Sequence, residues 1–194
     1  GKGSKKKKKS KLTSALCKGC GICAAECPTA AIEMKHFTDA QIQAQIDTAL
    51  KNNPENKILG ILCNWCSYGG ADTAGTARMQ YPPNLRIVRV MCTGRVDKKF
   101  VDRAFDLGAG MVLIAGCHPG DCHYISGNQH MEKREKLIRK MLDKKGVSQD
   151  RFRLEWVSAS EGSKFQRIAI EMAEKLGKYN HKQVEVEKIS ETSH

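Results

Sequence analysis

No stretch of 18 or more consecutive apolar residues occurs in this chain, so no membrane-spanning helix is expected. The lysine-rich start is not followed by an apolar signal-peptide segment, which argues against secretion and for a cytoplasmic protein. Aromatic residues are only 6% of the chain and are not interleaved with the basic start, so the stacking platforms that hold single-stranded nucleic acid are missing. No Walker loop, G-x-G-x-x-G turn or Ser/His/Asp set is present, and nothing repeats internally. These absences argue against a membrane partner and a nucleic-acid partner, and the commonest substrate-handling motifs are missing.

The net charge of +12 at first points back towards nucleic acid. Its distribution does not. Residues 1–11, GKGSKKKKKSK, hold seven lysines and no acid, which leaves about +5 for the rest of the chain. The run reads as a solvated basic linker, with docking to an acidic protein as the alternative.

What the sequence does have is cysteine: 9 in 194 residues, an odd number in a chain with no sign of secretion. Metal ligation or redox chemistry is a better expectation than a disulfide framework. Cys17-Lys-Gly-Cys20-Gly-Ile-Cys23-Ala-Ala-Glu-Cys27-Pro28 is C-x2-C-x2-C-x3-C-P, the ferredoxin run for a [4Fe–4S] cluster. Gly19 and Gly21 let the backbone approach the cluster, and Pro28 turns the chain away. In two-cluster ferredoxins the fourth cysteine of such a run serves the other cluster, so Cys27 is expected to reach for a neighbour. The chain has no second run and begins at Gly1, so an upstream half carrying that run is expected.

Downstream, short apolar runs alternate with helical patterns. Strands are expected at 57–62, 85–91, 111–116 and 152–158. Helices are expected at 71–80, capped by Asp72; at 96–108, closed by Gly108; at 126–146, with Leu137, Ile138, Met141 and Leu142 inward and Gly146 closing; and at 163–177. The fold class is α/β, a small doubly wound parallel four-stranded domain preceded by a ferredoxin-like iron–sulfur module. The expected divisions are a basic linker (1–11), the [4Fe–4S] segment (12–36), a linking helix (37–56) capped by Thr38 and Gln41, the α/β domain (57–177) and a polar tail (178–194).

The other five cysteines acquire a pattern on this frame. Cys63, Cys92 and Cys117 end the first three strands, and Cys66 and Cys122 lie just beyond. The strand C-termini of an open parallel sheet form one edge, where ligands bind. All five thiols should therefore converge there, although they span about 60 residues. A second iron–sulfur cluster is the expectation. A four-thiolate zinc site, a Cys63/Cys66 redox pair and inert apolar filling are the alternatives. Gly69, Gly70, Gly94, Gly116 and Gly120 are expected in these loops, allowing close backbone approach and N–H donation to sulfide. His118 and His123 could replace cysteines as in Rieske centres, but five thiols for four positions make surface or supporting roles the better reading. His36, His130, His181 and His194 show no constellation.

The stretches CNWCSYGGADTAGTARMQYPPNLRIVRVMCTGRVD and AGCHPGDCHYISGN resemble the delta subunit of methyl-viologen-reducing (F420-non-reducing) hydrogenase, over about residues 57–177. ALCKGCGICAAECPTAAIEMKHFTDAQI resembles the last ferredoxin module of the large flavoprotein of heterodisulfide reductase, its A component. The resemblance implies a [2Fe–2S] cluster held within Cys63, Cys66, Cys92, Cys117 and Cys122, with Cys66 expected as the spare. It implies electron relay from a hydrogenase or formate dehydrogenase to the bifurcating flavin of heterodisulfide reductase, whose branches reduce a disulfide and ferredoxin. Expected partners are the heterodisulfide reductase subunits, the A-component flavoprotein foremost, and subunits of the electron donor. The reading of another class is a thiol–disulfide oxidoreductase using Cys63 and Cys66; a nucleic-acid-binding iron–sulfur protein is weaker still.

Overall fold

The computed structural model describes residues 12–191; the basic run at 1–11 and residues 192–194 lie outside the described residues. Four strands, β1 (Ile58–Cys63), β2 (Leu85–Val90), β3 (Met111–Gly116) and β4 (Phe152–Trp156), form an all-parallel sheet in the order β2-β1-β3-β4. The fold class expected from sequence is the one observed. Every residue of β1 and β3 is buried, so neither strand shows the alternation of a one-sided sheet.

Helices cover both faces. The ferredoxin-type segment supplies α1 (Ile22–Glu26), and the next helix is α2 (Asp39–Ala49). One sheet face, carrying Leu59, Ile61, Val112 and Ile114, packs on α2, α4 (Lys98–Asp106) and α5 (Gly127–Lys144). The other, carrying Ile58, Leu62, Leu113 and Ala115, packs on α3 (Ser67–Thr76) and α6 (Gly162–Glu191). Fully buried Phe100 of α4 and Phe165 of α6, at 0% and 1% exposure, anchor the two layers, each contributing about 1.5–3 kcal/mol by transfer from water. Among the described residues no helix is long and apolar enough to cross a membrane.

Thr38 caps α2 in a full capping box with Gln41, as its sequence indicates. This helix does more than link, because Ile42, Ile46 and Leu50 belong to the core. Gly108 and Gly146 close α4 and α5 in the left-handed region, at φ +86° and +68°.

Four expectations are corrected. Helix α3 starts at Ser67, with Cys66 as its N-cap, and Asp72 lies inside it rather than capping it. The cause is tertiary: buried Ser67 Oγ accepts the Cys63 N–H at 2.9 Å and donates to Ala115 O at 2.6 Å, fixing the first turn against two strand ends. Gly69 and Gly70 therefore lie in a helix, not a loop. A Cβ on Gly70 would come 2.7 Å from Ser158 O, so these glycines let α3 approach the chain after β4. On α5, Leu137 is 56% exposed, and Met131, Arg134, Ile138 and Leu142 form the inward face. Helix α6 continues past Gly177 to Glu191 instead of giving way to a tail. Its extension is held by Arg151, whose guanidinium lies 5.0 Å from the Tyr179 ring centre, and by the Asn180 bond to Asn56 Oδ1 at 2.8 Å.

The Ser67 bridge carries a prediction. Ser67→Ala leaves the Cys63 N–H and Ala115 C=O inside the protein with one partner fewer, at a cost of about 1–3 kcal/mol. Urea unfolding should show a lower midpoint at an unchanged slope.

Candidate metal centres

The strand order reverses between β1 and β3, since β2 lies on one side of this pair and β4 on the other. That reversal opens a crevice at the carboxyl edge of the sheet. Cys63, the last residue of β1, and Cys117, the residue after β3, meet there with sulfurs 3.7 Å apart. Cys92 follows β2 by two residues and caps the 3-10 turn Thr93–Arg95, its sulfur accepting the Gly94 N–H at 3.4 Å. Cys122 returns to the same place from the loop after β3. A Cβ built on Gly127 would overlap Cys92 Sγ and lie 3.3 Å from Cys122 Sγ, so both sulfurs rest on the bare first residue of α5.

Cys63, Cys92, Cys117 and Cys122 form one buried cluster with Tyr124, the four cysteines at 1%, 1%, 2% and 9% exposure. Half-buried Cys66 packs against it and interacts with Cys63 and Cys117. The structure thus brings all five expected thiols together and makes Cys66 the outer one. All nine cysteines are free. Among the described residues no three His, Cys, Asp or Glu donors gather as they would around one metal ion. The sulfurs meet in pairs instead: Cys63 with Cys117 at 3.7 Å, and Cys92 and Cys122 both against Gly127, with Cys63 also acting on Cys92.

The electrostatics follow from crowding. Hydrogen bonding from the Cys117 and Cys66 thiols pulls the Cys63 thiol down to about 3. The Cys63 contact in turn pushes Cys117 up to about 11, and Cys117 and Cys63 together push Cys66 higher still. Burial pushes Cys92 up. One thiolate forms readily in such a group and the others resist, because like charges in a desolvated site repel. A cationic iron–sulfide core would relieve that repulsion and displace the remaining protons. The donor set, the glycine cradle and the Gly94 N–H all fit such a group, whereas a simple dithiol pair needs only two of these thiols.

Supporting side chains hold the walls. Buried Asn128 donates to Cys117 O at 3.2 Å and His118 O at 2.7 Å. His118 Nε2 lies 2.6 Å from Glu161 Oε2, which also accepts the Ser158 N–H at 2.7 Å. That N–H and His118 hold the Glu161 carboxyl at about 2. His123 stacks on Trp65 with ring centres 4.0 Å apart, and Trp65 Nε1 donates to the Tyr124 hydroxyl at 2.9 Å. Neither histidine lies among the buried thiols. Of the glycines expected near sulfide, Gly94 donates to sulfur, and Gly120 turns the Cys117–Cys122 loop at φ +92°. Gly116 admits the Thr93 side chain, whose Cγ2 would lie 2.6 Å from an added Cβ.

The ferredoxin-type run presents its cysteines differently. Cys17 and Cys23 are exposed, and Cys20 and Cys27 are half-buried. Gly19 and Gly21 adopt φ +71° and +79°, conformations that the turn between ligands demands and that only glycine takes without strain. Cys27 Sγ accepts the Ala31 N–H at 3.3 Å, and its contact with the Thr29 hydroxyl is the main cause of a thiol lowered to about 7. Cys20 packs against the buried thiol cluster of the α/β domain.

Residues with no signal in the spacing bind the run to the sheet. Glu26 of α1 meets His130 Nδ1 at 2.5 Å and Arg134 Nη2 at 3.4 Å, both on α5. Arg134, 8% exposed, also donates to Gly94 O at 3.1 Å and Val96 O at 2.6 Å. Arg95 reaches Phe37 O and Asp39. His130 thus acquires a partner that its sequence neighbourhood does not announce.

Comparison with known proteins places the chain in a family. Residues 58–179 match the family described as methyl-viologen-reducing hydrogenase, delta subunit, and residues 13–33 match the 4Fe-4S binding domain. The chain is 52% identical over 127 residues to the iron-sulfur D component of the vhc F420-non-reducing hydrogenase of Methanococcus voltae, covering 66% of this chain and 88% of that one. It is 48% identical over 117 residues to the iron-sulfur D component of the F420-non-reducing hydrogenase of Archaeoglobus profundus, covering 60% and 85%. It is also 40% identical over 147 residues to the A component of the ferredoxin:CoB-CoM heterodisulfide reductase of Methanosarcina mazei, covering 75% of this chain but 18% of that much longer one. The chain therefore belongs to the family of methyl-viologen-reducing hydrogenase delta subunits, joined at its N-terminal side to a 4Fe-4S ferredoxin motif.

Proposed function

We propose that this chain is an iron–sulfur electron-transfer subunit that relays electrons between a [2Fe–2S] cluster at the carboxyl edge of the sheet and the [4Fe–4S] module that precedes it. Cys63, Cys92, Cys117 and Cys122 supply the ligands of the first, with Cys66 outside the set. Cys17, Cys20 and Cys23 of the ferredoxin-type run supply ligands of the second, and Cys27 serves a neighbouring cluster. The observation that carries the reading is the packing of Cys20 against the buried thiols of the α/β domain, which makes the two sites neighbours. When bound, the clusters supply one-electron chemistry. The protein excludes water from the buried thiols, holds the Cys92 sulfur with the Gly94 N–H and braces the Cys117 loop with Asn128.

The relatives named as components of F420-non-reducing hydrogenase and of heterodisulfide reductase support the placement of the relay. Electrons enter from a hydrogenase or formate dehydrogenase and leave towards the bifurcating flavin of the heterodisulfide reductase A component, in the cytoplasm. The chemistry is that of methanogenic disulfide reduction. The chain acts as a component of an oxidoreductase complex. A thiol–disulfide exchange role for Cys63 and Cys66 accounts for two thiols only and leaves Cys92, Cys117 and Cys122 at the same site without a role.

Anaerobic purification, iron and sulfide counting and EPR of the reduced protein test this. Serine replacement at Cys63, Cys92, Cys117 or Cys122 is expected to abolish or strongly alter a two-iron signal, and Cys66→Ser to leave it in place. A two-iron signal untouched by Cys117→Ser and Cys122→Ser would overturn the ligand assignment. Iron sufficient for a single cubane only would overturn the second cluster itself.

A further inference from the structure

Arg95 stands between the two thiol sets. It ends the 3-10 turn that follows Cys92, and its own N–H donates to Cys92 O at 2.9 Å. Its side chain then leaves the buried thiols and enters the ferredoxin-type segment. A Cβ on Gly21 would lie 2.5 Å from Arg95 Cδ and 3.1 Å from Arg95 Cβ. The arginine stem is thus the floor under the backbone between Cys20 and Cys23, and Gly21 is bare so that it fits.

The guanidinium is 1% exposed. Nε and Nη2 donate to Phe37 O at 3.1 and 2.9 Å, and Nη2 meets Asp39 Oδ1 at 2.6 Å. The Phe100 ring lies 5.2 Å beneath it. Nη1 is buried and makes no hydrogen bond among the described residues. The guanidinium's one carboxylate partner among the described residues is itself shared, because Asp39 Oδ2 also binds Lys99 Nζ at 2.5 Å. Other charges nearby are Asp97, paired with Lys99 at 3.4 Å, and Arg134, which reaches Glu26. Lys99, Asp39 and Glu26 are a third or more exposed, so water screens them, while the Arg95 charge acts through a drier medium.

A fully buried cation with a spare N–H and a divided counter-ion is a costly arrangement for stability alone. We infer that Arg95 is a positioning residue for the ferredoxin-type cluster site: its stem shapes the Cys20–Cys23 turn, and its buried positive charge favours the reduced, more negative state of that site. The inference rests on the [4Fe–4S] reading proposed above and adds to it a residue outside the ligand set that sets how readily the site accepts an electron.

The test is an anaerobic, EPR-monitored dithionite titration of the full chain carrying Arg95→Met, Arg95→Lys or Asp39→Asn, with iron and sulfide counted for each. Arg95→Met keeps an apolar stem and removes the charge. It should lower the reduced-to-oxidised ratio of the [4Fe–4S] signal at fixed potential by tenfold or more, about 59 mV for one electron. Arg95→Lys should stay within threefold of the parent. Asp39→Asn frees the cation of its partner and should move the ratio the opposite way. Opposite shifts from the two charge changes are not produced by a merely structural role. A loaded Arg95→Met protein with a ratio within threefold of the parent overturns the inference. Should Arg95→Met fail to load, Asp39→Asn decides: an upward shift supports the inference, and none or a downward one overturns it. A parent chain that holds no [4Fe–4S] iron sinks the proposed function as well, so the two failures are told apart by the parent's iron count.

Discussion

Gly127→Ala should empty the second thiol site of iron while leaving the fold intact. The added methyl would occupy the place of Cys92 Sγ. Helix α5 cannot withdraw, because Met131, Ile138 and Leu142 fix it in the core. The thiol is the part that can move, by turning about its single side-chain bond into another rotamer. That rotation costs the protein little in the metal-free state. It removes one of the four buried sulfurs from the crevice and its hydrogen bond from Gly94. The expected result is loss of the two-iron EPR signal and of its share of iron and sulfide, with thermal unfolding of the metal-free protein shifted by no more than a few degrees. A Gly127→Ala protein that retains the full two-iron signal would show that Cys92 is not a ligand at this position. Cys92→Ser on its own should reproduce the spectroscopic loss without the steric change, which separates the two causes.

The second large effect is expected at Arg134. Its guanidinium is inserted between α5 and the turn that carries Gly94 and Val96, and it satisfies both of their carbonyls. It also reaches Glu26 of the ferredoxin-type segment. Burial holds the guanidinium pKa below its ordinary value, which shows how far the charge has been taken from water. Arg134→Ala strands two carbonyl groups and loosens the hold on Glu26. Each stranded group costs about 1–3 kcal/mol, so a total of about 3 kcal/mol is expected. Lysine does not rescue it, because a single ammonium lacks the planar fork that meets carbonyls and carboxylate together. Urea unfolding measures the loss. Amide hydrogen exchange should show protection falling first in residues 12–36, ahead of β1 and β3. Uniform loss across the chain would contradict a clamp between the run and the sheet.

The contrast between these residues and the cysteines shows what was legible in the sequence. The apolar runs at Ile58–Cys63 and Met111–Gly116 announce buried parallel strands, and the cysteines at their ends follow from the sheet rule alone. Thr38, Gly108 and Gly146 act through their own turns, so their roles are local and readable. Ser67, Arg95 and Arg134 reach across 38 or more positions of sequence, to Ala115 O, Phe37 O and Val96 O, and no periodicity marks such contacts. Asp72 has the chemistry of a cap, but a serine bonded to two strand ends starts the helix earlier. Gly177 has the chemistry of a stop, worth about 1 kcal/mol against a helix, and packing of Tyr179 and Asn180 outweighs it. Leu137 sits on the helical stripe by spacing, while the larger Arg134 occupies the inward face for the sake of the turn it clamps.

The two thiol sets also differ in when they can exist. Cys17, Cys20, Cys23 and Cys27 lie in one short segment, so bringing them together needs no pairing of distant strands. Cys63 and Cys117 become neighbours only through the pairing of β1 with β3, in the register that sets Leu62 beside Ala115. Contacts of such sequence separation form late, after loop closure has been overcome. On the proposed reading, cluster insertion at the sheet edge would be a maturation step that only a folded chain accepts, and iron there would certify that β1 and β3 have found each other.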